Sequence, residues 1–285
     1  MKIALLVSGN LGFLALKHLY LNYELVFVMT NNDSIEIIEF VKSNKINYFI
    51  GNPRTEGANE FYSNKEIDVL ISINYLFLIN ENLINRPKLL SFNIHGSLLP
   101  KYRGRTPHVW AIINNEKYTG ITAHIIDNGC DTGDIIDQKI IGISDVDTGG
   151  TILEKFSAEY ILMVESVLYK IKNNKIIRTK QNENEASYFG VRTPEDGLID
   201  WSWQKERIYN WVRALSYPYP GAYSYYDNNK VIIDKIEFVN DGFDYQMPNG
   251  LIISSIPLLV KTPNGVVKLI LRNKLSNITK GYKFY

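Results

Sequence analysis

The chain has 285 residues, 45% hydrophobic and 21% charged, and its 31 basic and 30 acidic residues leave a formal net charge of only +1. That is room for one large domain or two modest ones with a real core, and it argues against the broad basic field of a nucleic-acid binder. The single cysteine, Cys130, excludes an intrachain disulfide and a Cys-rich zinc site, and it fits a reducing cytosol.

The first residues, Met1-Lys2-Ile3-Ala4, open like a signal peptide, but Ser8-Gly9-Asn10 interrupts the apolar run. No apolar run reaches membrane-spanning length, so no membrane is expected as a partner. Residues 3–7 read as a buried strand ending in a turn, and further strands are predicted at 25–29, 46–50 and 69–73. Between them Ile35, Ile37, Ile38, Phe40 and Val41 sit at helical spacing. This alternation predicts a doubly wound, mostly parallel, Rossmann-like α/β sheet covered on both faces.

Residues 91–95 form a fifth predicted strand, with later ones at 121–126 and 135–141. A long helix starts at Asp147 or Thr148, with Leu153, Phe156, Tyr160, Met163, Val164 and Val167 on its apolar face. Residues 180–193 are polar and read as a linker or a crossover. A helix is predicted over 201–215, ended by Tyr217-Pro218-Tyr219-Pro220-Gly221. Short runs at 231–236, 251–256 and 266–271, with Pro-Asn-Gly turns at 248–250 and 263–265, predict a small, mostly β C-terminal module. The expected division is 1–180 for the α/β domain and 181–285 for the helix and β module. From residue 246 onward Lys261, Lys268, Arg272, Lys274, Lys280 and Lys283 occur with no acidic residue. That pattern reads as a solvated β surface or, alternatively, as a site for an anionic substrate.

Ser8-Gly9-Asn10-Leu11-Gly12 is either a plain strand-to-helix turn or a phosphate-binding one; it is not G-x-G-x-x-G. The stronger signal is Ser91-Phe92-Asn93-Ile94-His95-Gly96-Ser97-Leu98-Leu99-Pro100-Lys101-Tyr102-Arg103-Gly104. Asn93 and His95 are two apart on a strand and share a face, at the C-terminal end where open α/β sheets place ligands. Asp131-Thr132-Gly133-Asp134 follows 36 residues after His95 (131 − 95), in a glycine-bearing loop that starts at Asp127-Asn128-Gly129. A carboxylate there can orient an imidazole and favour its cation, while an Asn amide can donate to a developing oxyanion. Spacing alone fits a polar core cluster equally well.

Asn-x-His-x-Ser-Leu-Leu-Pro-x-x-x-Gly followed by Asp-Thr-Gly-Asp resembles the signature of the folate-dependent formyltransferases. The superfamily includes methionyl-tRNA, glycinamide ribonucleotide and sugar N-formyltransferases. The resemblance is good over about residues 65–145 and extends to Glu195-Asp196-Gly197-Leu198-Ile199-Asp200-Trp201, Arg213-Ala214 and Tyr217-Pro218-Tyr219-Pro220-Gly221-Ala222. It implies a catalytic triad of Asn93, His95 and Asp131, N10-formyltetrahydrofolate as co-substrate, and no metal. It also implies folate contacts from Ile73 and Tyr75, in a stretch resembling the one that borders the pterin, and from Asp127 and Asn128.

Among acceptors, a tRNA enzyme is expected to be longer and more basic, and the glycinamide ribonucleotide enzyme lacks the Arg-Ala and Tyr-Pro-Gly-Ala segments. Arg103-Gly104-Arg105-Thr106-Pro107 resembles enzymes acting on nucleotide-linked 4-amino sugars, including the formyltransferase domain for UDP-aminoarabinose. The expected partners are therefore a dTDP- or UDP-linked amino sugar and folate; no nucleic acid is expected, and a homodimer is compatible with the reading. Lys101, Arg105 and Arg213 are candidates for the pyrophosphate, and Tyr217, Tyr219 and Tyr223 for stacking on the base; each is equally readable as surface decoration. His124 reads as a structural histidine, Cys130 as a small packing residue, and Trp201, Trp203 and Trp211 as core. His108 is either a helix cap or a pocket residue.

Overall fold

The computed structural model of the chain describes residues 1–273, 275 and 277–285; Lys274 of the basic tail lies outside them. In chain order the elements begin β1 (Lys2–Val7), α1 (Gly9–Asn22), β2 (Glu24–Thr30), α2 (Ile35–Ser43), β3 (Tyr48–Ile50) and α3 (Glu56–Ser63). They continue with β4 (Val69–Ile73), α4 (Glu81–Ile84), β5 (Leu90–His95), β6 (Arg103–Gly104), α5 (Pro107–Ile113), β7 (Tyr118–Ile125) and β8 (Ile135–Gly142). The long helix α6 (Gly149–Lys172) precedes β9 (Tyr188–Phe189) and α7 (Lys205–Leu215). The last strands are β10 (Ala222–Tyr226), β11 (Asn229–Val239), β12 (Ile252–Ser255), β13 (Leu258–Thr262) and β14 (Gly265–Leu271).

Two compact units emerge, and both are discontinuous in sequence. The first comprises Met1–Gly104, Gly120–Ile141 and Lys155–Phe189; the second comprises Arg105–Thr119, Gly142–Glu154 and Gly190–Tyr285. A seven-stranded sheet in the order β3-β2-β1-β4-β5-β7-β8 organises the first. The pairs β2/β3, β1/β2, β1/β4 and β4/β5 are parallel, as the β-α alternation predicts. The β5/β7 pair is antiparallel, which makes the sheet mixed. Residues 3–7 of β1 and all of β4 are buried, so both lack in-out alternation, as expected of strands covered on two faces.

Helix α6 buries the predicted Phe156, Tyr160, Met163, Val164 and Val167, and adds Ile152, Leu168 and Ile171. Leu153 is only partly covered. The linker at 180–193 is more structured than expected. It holds a 3-10 turn at Glu183–Glu185, and β9 then pairs in parallel with β6, Arg103 opposite Tyr188.

In the second unit a five-stranded sheet runs β10-β11-β14-β13-β12. Strands β10 and β13 are additions to the three predicted runs. The helix expected over 201–215 begins only at Lys205. Asp200 Oδ1 accepts from the Ser202 N–H at 2.8 Å and turns the chain there, while Trp201 donates to Ser224 Oγ at 2.9 Å and stacks on Phe284. Trp201 is thus a core residue of the β module and not of the helix. Three of the basic residues of the tail have partners in the β module. Lys261 is buried and donates to Tyr245 O and Asn249 Oδ1, while Lys268 pairs with Glu237 and Arg272 with Asp234.

Candidate active site

Strand β5 delivers Asn93 and His95 at its C-terminal end, and the antiparallel register sets Asn93 opposite His124 and His95 opposite Thr122. The loop after β7 then brings Asp131 back to both histidines. Asp131 Oδ2 lies 3.5 Å from His95 Nδ1, and Asp131 Oδ1 lies 3.5 Å from His124 Nε2. Asn93 Nδ2 is 3.0 Å from His124 Nε2. His95 Nε2 lies 2.8 Å from Tyr102 O, and the main-chain N–H of Gly104 donates to Asp131 Oδ2 at 2.9 Å. Four polar side chains therefore form one contiguous, largely buried network.

The partners fix the protons. His124 Nδ1 faces Ile125 O at 2.8 Å, so it carries the hydrogen, and Nε2 is left to accept from the Asn93 amide. His95 Nε2 must likewise donate to Tyr102 O. Its Nδ1 is then the nitrogen that gains or loses a proton, beside Asp131. Burial pushes the His95 pKa down, the Asp131 carboxylate and the Tyr102 carbonyl push it partly back up, and His124 adds to the lowering. Burial pushes Asp131 up, but the charge of His95 and the Gly104 N–H outweigh it and hold the carboxyl well below the usual carboxylate range. Asp131 is an anion at neutral pH.

The loop geometry explains the motif glycine. A Cβ on Gly133 would lie 2.0 Å from Ile125 O, and one on Gly104, at φ +99°, would lie 2.3 Å from Phe189 O. Asp127 Oδ1 accepts from the Gly129 N–H and from Thr132 Oγ1, closing the loop on itself. A deeper support escaped the sequence reading. The Gln181 amide donates to the main-chain oxygens of Asp131 at 2.8 Å and Gly133 at 2.7 Å. The fully buried Arg103 guanidinium holds Gln181 Oε1 through Nε and Nη2, and grips Glu183 with both Nη atoms at 2.9 and 2.7 Å. Arg103 also donates to the Tyr188 hydroxyl.

Residues 1–167 match the family model described as formyl transferase, and residues 192–277 match that of the formyl transferase C-terminal domain. The chain belongs to the formyl transferase family. It is 35% identical to the bifunctional polymyxin resistance protein ArnA of Wigglesworthia glossinidia brevipalpis over 272 residues, covering 91% of this chain and 41% of that protein. It is 36% identical to a methionyl-tRNA formyltransferase of Caldanaerobacter subterraneus over 203 residues, covering 71% of this chain and 65% of that one. The chain thus spans less than two thirds of either relative. The solved N-formyltransferase from Helicobacter canadensis, in complex with folinic acid and dTDP-3-aminofucose, shares the fold with a TM-score of 0.69 at 23% identity over the whole of both chains.

Within this family chain the folate-side candidates lie in the first unit. Ile73 ends β4 fully buried, and Tyr75 donates to Gly51 O at 3.0 Å. Asp127 and Asn128 are exposed in the loop that carries Asp131, as is Lys101 beyond β5. Cys130 is exposed too, with Sγ 3.6 Å from Asp131 Oδ2, and is not the packing residue expected.

The remaining acceptor-side candidates lie in the second unit. Arg105 is half-buried and Tyr217 is 84% exposed. Arg213 is buried and donates to Ser144 O, Asp147 O and Asn210 Oδ1, so a phosphate would have to displace partners it already has. Tyr219 meets His108 through its hydroxyl, and Tyr223 is buried with its hydroxyl on Glu195 O. His108 is buried inside its unit and does not cap a helix at the surface. Among the described residues no group of His, Cys, Asp and Glu side chains could hold a metal ion. No described helix is long and apolar enough to cross a membrane.

Proposed function

We propose that the chain transfers the formyl group of N10-formyltetrahydrofolate to the amino group of a dTDP- or UDP-linked 4-amino-4,6-dideoxy sugar. The observation that carries this reading is the largely buried Asn93, His95 and Asp131 cluster in a formyl transferase family chain. The acceptor class is supported by full-length likeness of fold to the Helicobacter canadensis protein, which binds a dTDP-amino sugar.

The chemistry follows from the protons. The neutral amine attacks the formyl carbon, a C–N bond forms, and the carbonyl oxygen becomes an oxyanion. Asn93 uses one Nδ2 hydrogen on His124 and keeps the second for that oxygen, a donor of the kind worth about 3–4 kcal/mol. His95 Nδ1 takes the amine proton, and the imidazolium then has an acceptor at each nitrogen, Asp131 and Tyr102 O. Collapse breaks the bond to N10, which receives the proton and leaves as tetrahydrofolate. Asp131 stays ionised throughout and never forms a covalent bond to substrate. In this scheme Ile73, Tyr75, Asp127 and Asn128 border the folate, and Lys101, Arg105, Arg213, Tyr217, Tyr219 and Tyr223 are the acceptor-side candidates. Residues 1–180 carry the transfer, and 181–285 form the C-terminal helix and small β module.

A second reading, methionyl-tRNA as acceptor, is favoured by the Caldanaerobacter relative. A panel of dTDP- and UDP-linked amino sugars, charged initiator tRNA and water, each with N10-formyltetrahydrofolate and read by mass, separates the two. One added formyl group on a nucleotide 4-amino sugar is the expected result. Preferential formylation of the tRNA, or release of formate without an acceptor, overturns it.

A further inference from the structure

The second unit contains a cavity of about 90 Å³ lined by Thr106, Val109, Arg192, Leu215, Tyr219 and Pro220, among others. None of the triad residues belongs to it. Two of its lining residues bury a polar atom that has no hydrogen-bond partner among the described residues, Thr106 Oγ1 and Arg192 Nε. Buried polar atoms are destabilising when left unpaired, so two of them in one cavity call for an occupant.

The local chemistry defines that occupant. The Arg192 guanidinium lies against two indoles, with Cζ 4.8 Å from the centroid of Trp110 and 4.4 Å from that of Trp211. With two aromatic rings against it, the guanidinium has its hydrogen-bonding edge as the part that can grip an anion. On the Nε/Nη2 edge one Nη2 hydrogen goes to Asp196 O at 2.7 Å, which leaves Nε–H and the second Nη2 hydrogen on that edge. Thr106 sits at φ +46°, where a β-branched residue is strained, and its hydroxyl caps nothing. A free donor edge of a guanidinium and a strained hydroxyl, set among Val109, Leu215 and Pro220, match an acceptor-rich anionic group in a water-poor wall.

We propose that this cavity is an oxyanion subsite in which Arg192 Nε and Thr106 Oγ1 grip one phosphate or carboxylate group of a substrate. The identity of the carrier rests on the function proposed above. A diphosphate of the acceptor is the first source, and a folate glutamyl carboxylate the second. The anion preference itself does not depend on which acceptor is formylated.

Calorimetric titration of the full chain with pyrophosphate, dTDP and 5-formyltetrahydrofolate tests this, alongside the variants Arg192→Lys and Thr106→Gly. Arg192→Lys keeps the charge and removes the planar edge, and is expected to weaken dTDP and pyrophosphate about tenfold or more. Thr106→Gly is expected to weaken them about threefold while raising the melting temperature by roughly a few degrees, because glycine relieves the positive φ. Opposite signs for affinity and stability separate a binding role from a packing one. Weakening confined to the folate keeps the subsite and assigns it to the carboxylate. Unchanged affinity for all three probes in both folded variants, or a wild-type chain that binds none of them, overturns the proposal. Failure of the acceptor reading shows instead in the formyl-transfer panel, whatever the anion affinity.

Discussion

His124 faces both the Asn93 amide, at 3.0 Å, and the Asp131 carboxylate, at 3.5 Å, through its Nε2. With Nδ1–H on Ile125 O, that nitrogen accepts from Asn93 and fixes which end of the amide points where. His124 is a positioning residue in this arrangement. His124→Leu is expected to lower kcat by about ten- to a hundredfold and leave acceptor KM within about threefold, and His124→Gln, which offers an amide oxygen, to recover part of the loss. Steady-state kinetics well below the melting temperature is the measurement. A lower melting temperature with unchanged kcat would mean a purely structural histidine.

The triad should separate turnover from affinity. His95→Asn and Asn93→Ala are each expected to reduce kcat at least about a hundredfold while nucleotide-sugar affinity changes by less than about tenfold, since only transition-state contacts raise turnover. Asp131→Asn should be similarly severe. Kinetics paired with calorimetry checks this, and near-normal turnover in His95→Asn refutes the proposed base.

The pH behaviour of His95 follows from burial. Its folded pKa lies below the usual value of about 6.5, so the neutral base is already present at pH 7 and the acid limb of kcat/KM should fall below about 6.5. A depressed folded pKa also makes its stability contribution complete above the unfolded value and lost as pH falls through the folded one. Removing the carboxylate in Asp131→Asn takes away the interaction that raises His95, so its titration should move lower still. NMR titration of the imidazole reads both; a midpoint above 6.5 in the wild-type chain contradicts this account.

Arg103 and Glu183 form an ion pair at 2.7 Å whose partners differ sharply, the arginine side chain being 0% exposed and the carboxylate 64%. Glu183→Gln should leave the melting temperature nearly unchanged, because an exposed partner is screened by solvent. Arg103→Ala should cost about 3 kcal/mol or more, because it opens a void and strands Gln181 Oε1. It should also lower kcat by loosening the Gln181 clamp on the Asp131 main chain. Thermal melts of both variants decide this, and equal destabilisation by the two would rule it out.

Much of the first sheet was legible because period and length suffice there. The short 69–73 run, apolar but for Ser72 and closed by Asn74, reads as a strand buried on both faces, and it is β4 without a residue's difference. Asn93 and His95 were assigned to one face from their spacing alone. The helix expected over 201–215 starts four residues late: its apolar and aromatic residues satisfy a 3.6 period, but Trp201 has its partner in Ser224, and a sequence pattern does not name partners. Lys261 looked like surface charge because burial of a lysine depends on acceptors supplied by Tyr245 and Asn249.

What the sequence by itself determined is the order of strands and helices, the α/β and β character of the two regions, and the identity of Asn93, His95 and Asp131 as candidates, since these rest on periodicity and on a local motif. Only tertiary structure decided the rest. The antiparallel β5/β7 register placed His124 against Asn93, thirty-one positions away in the chain (124 − 93). Likewise, the return of residues 181–189 brought Gln181 to the Asp131 backbone and Tyr188 to Arg103. Hydrogen bonds of that range carry no signal in spacing, because their geometry exists only once the strands have paired.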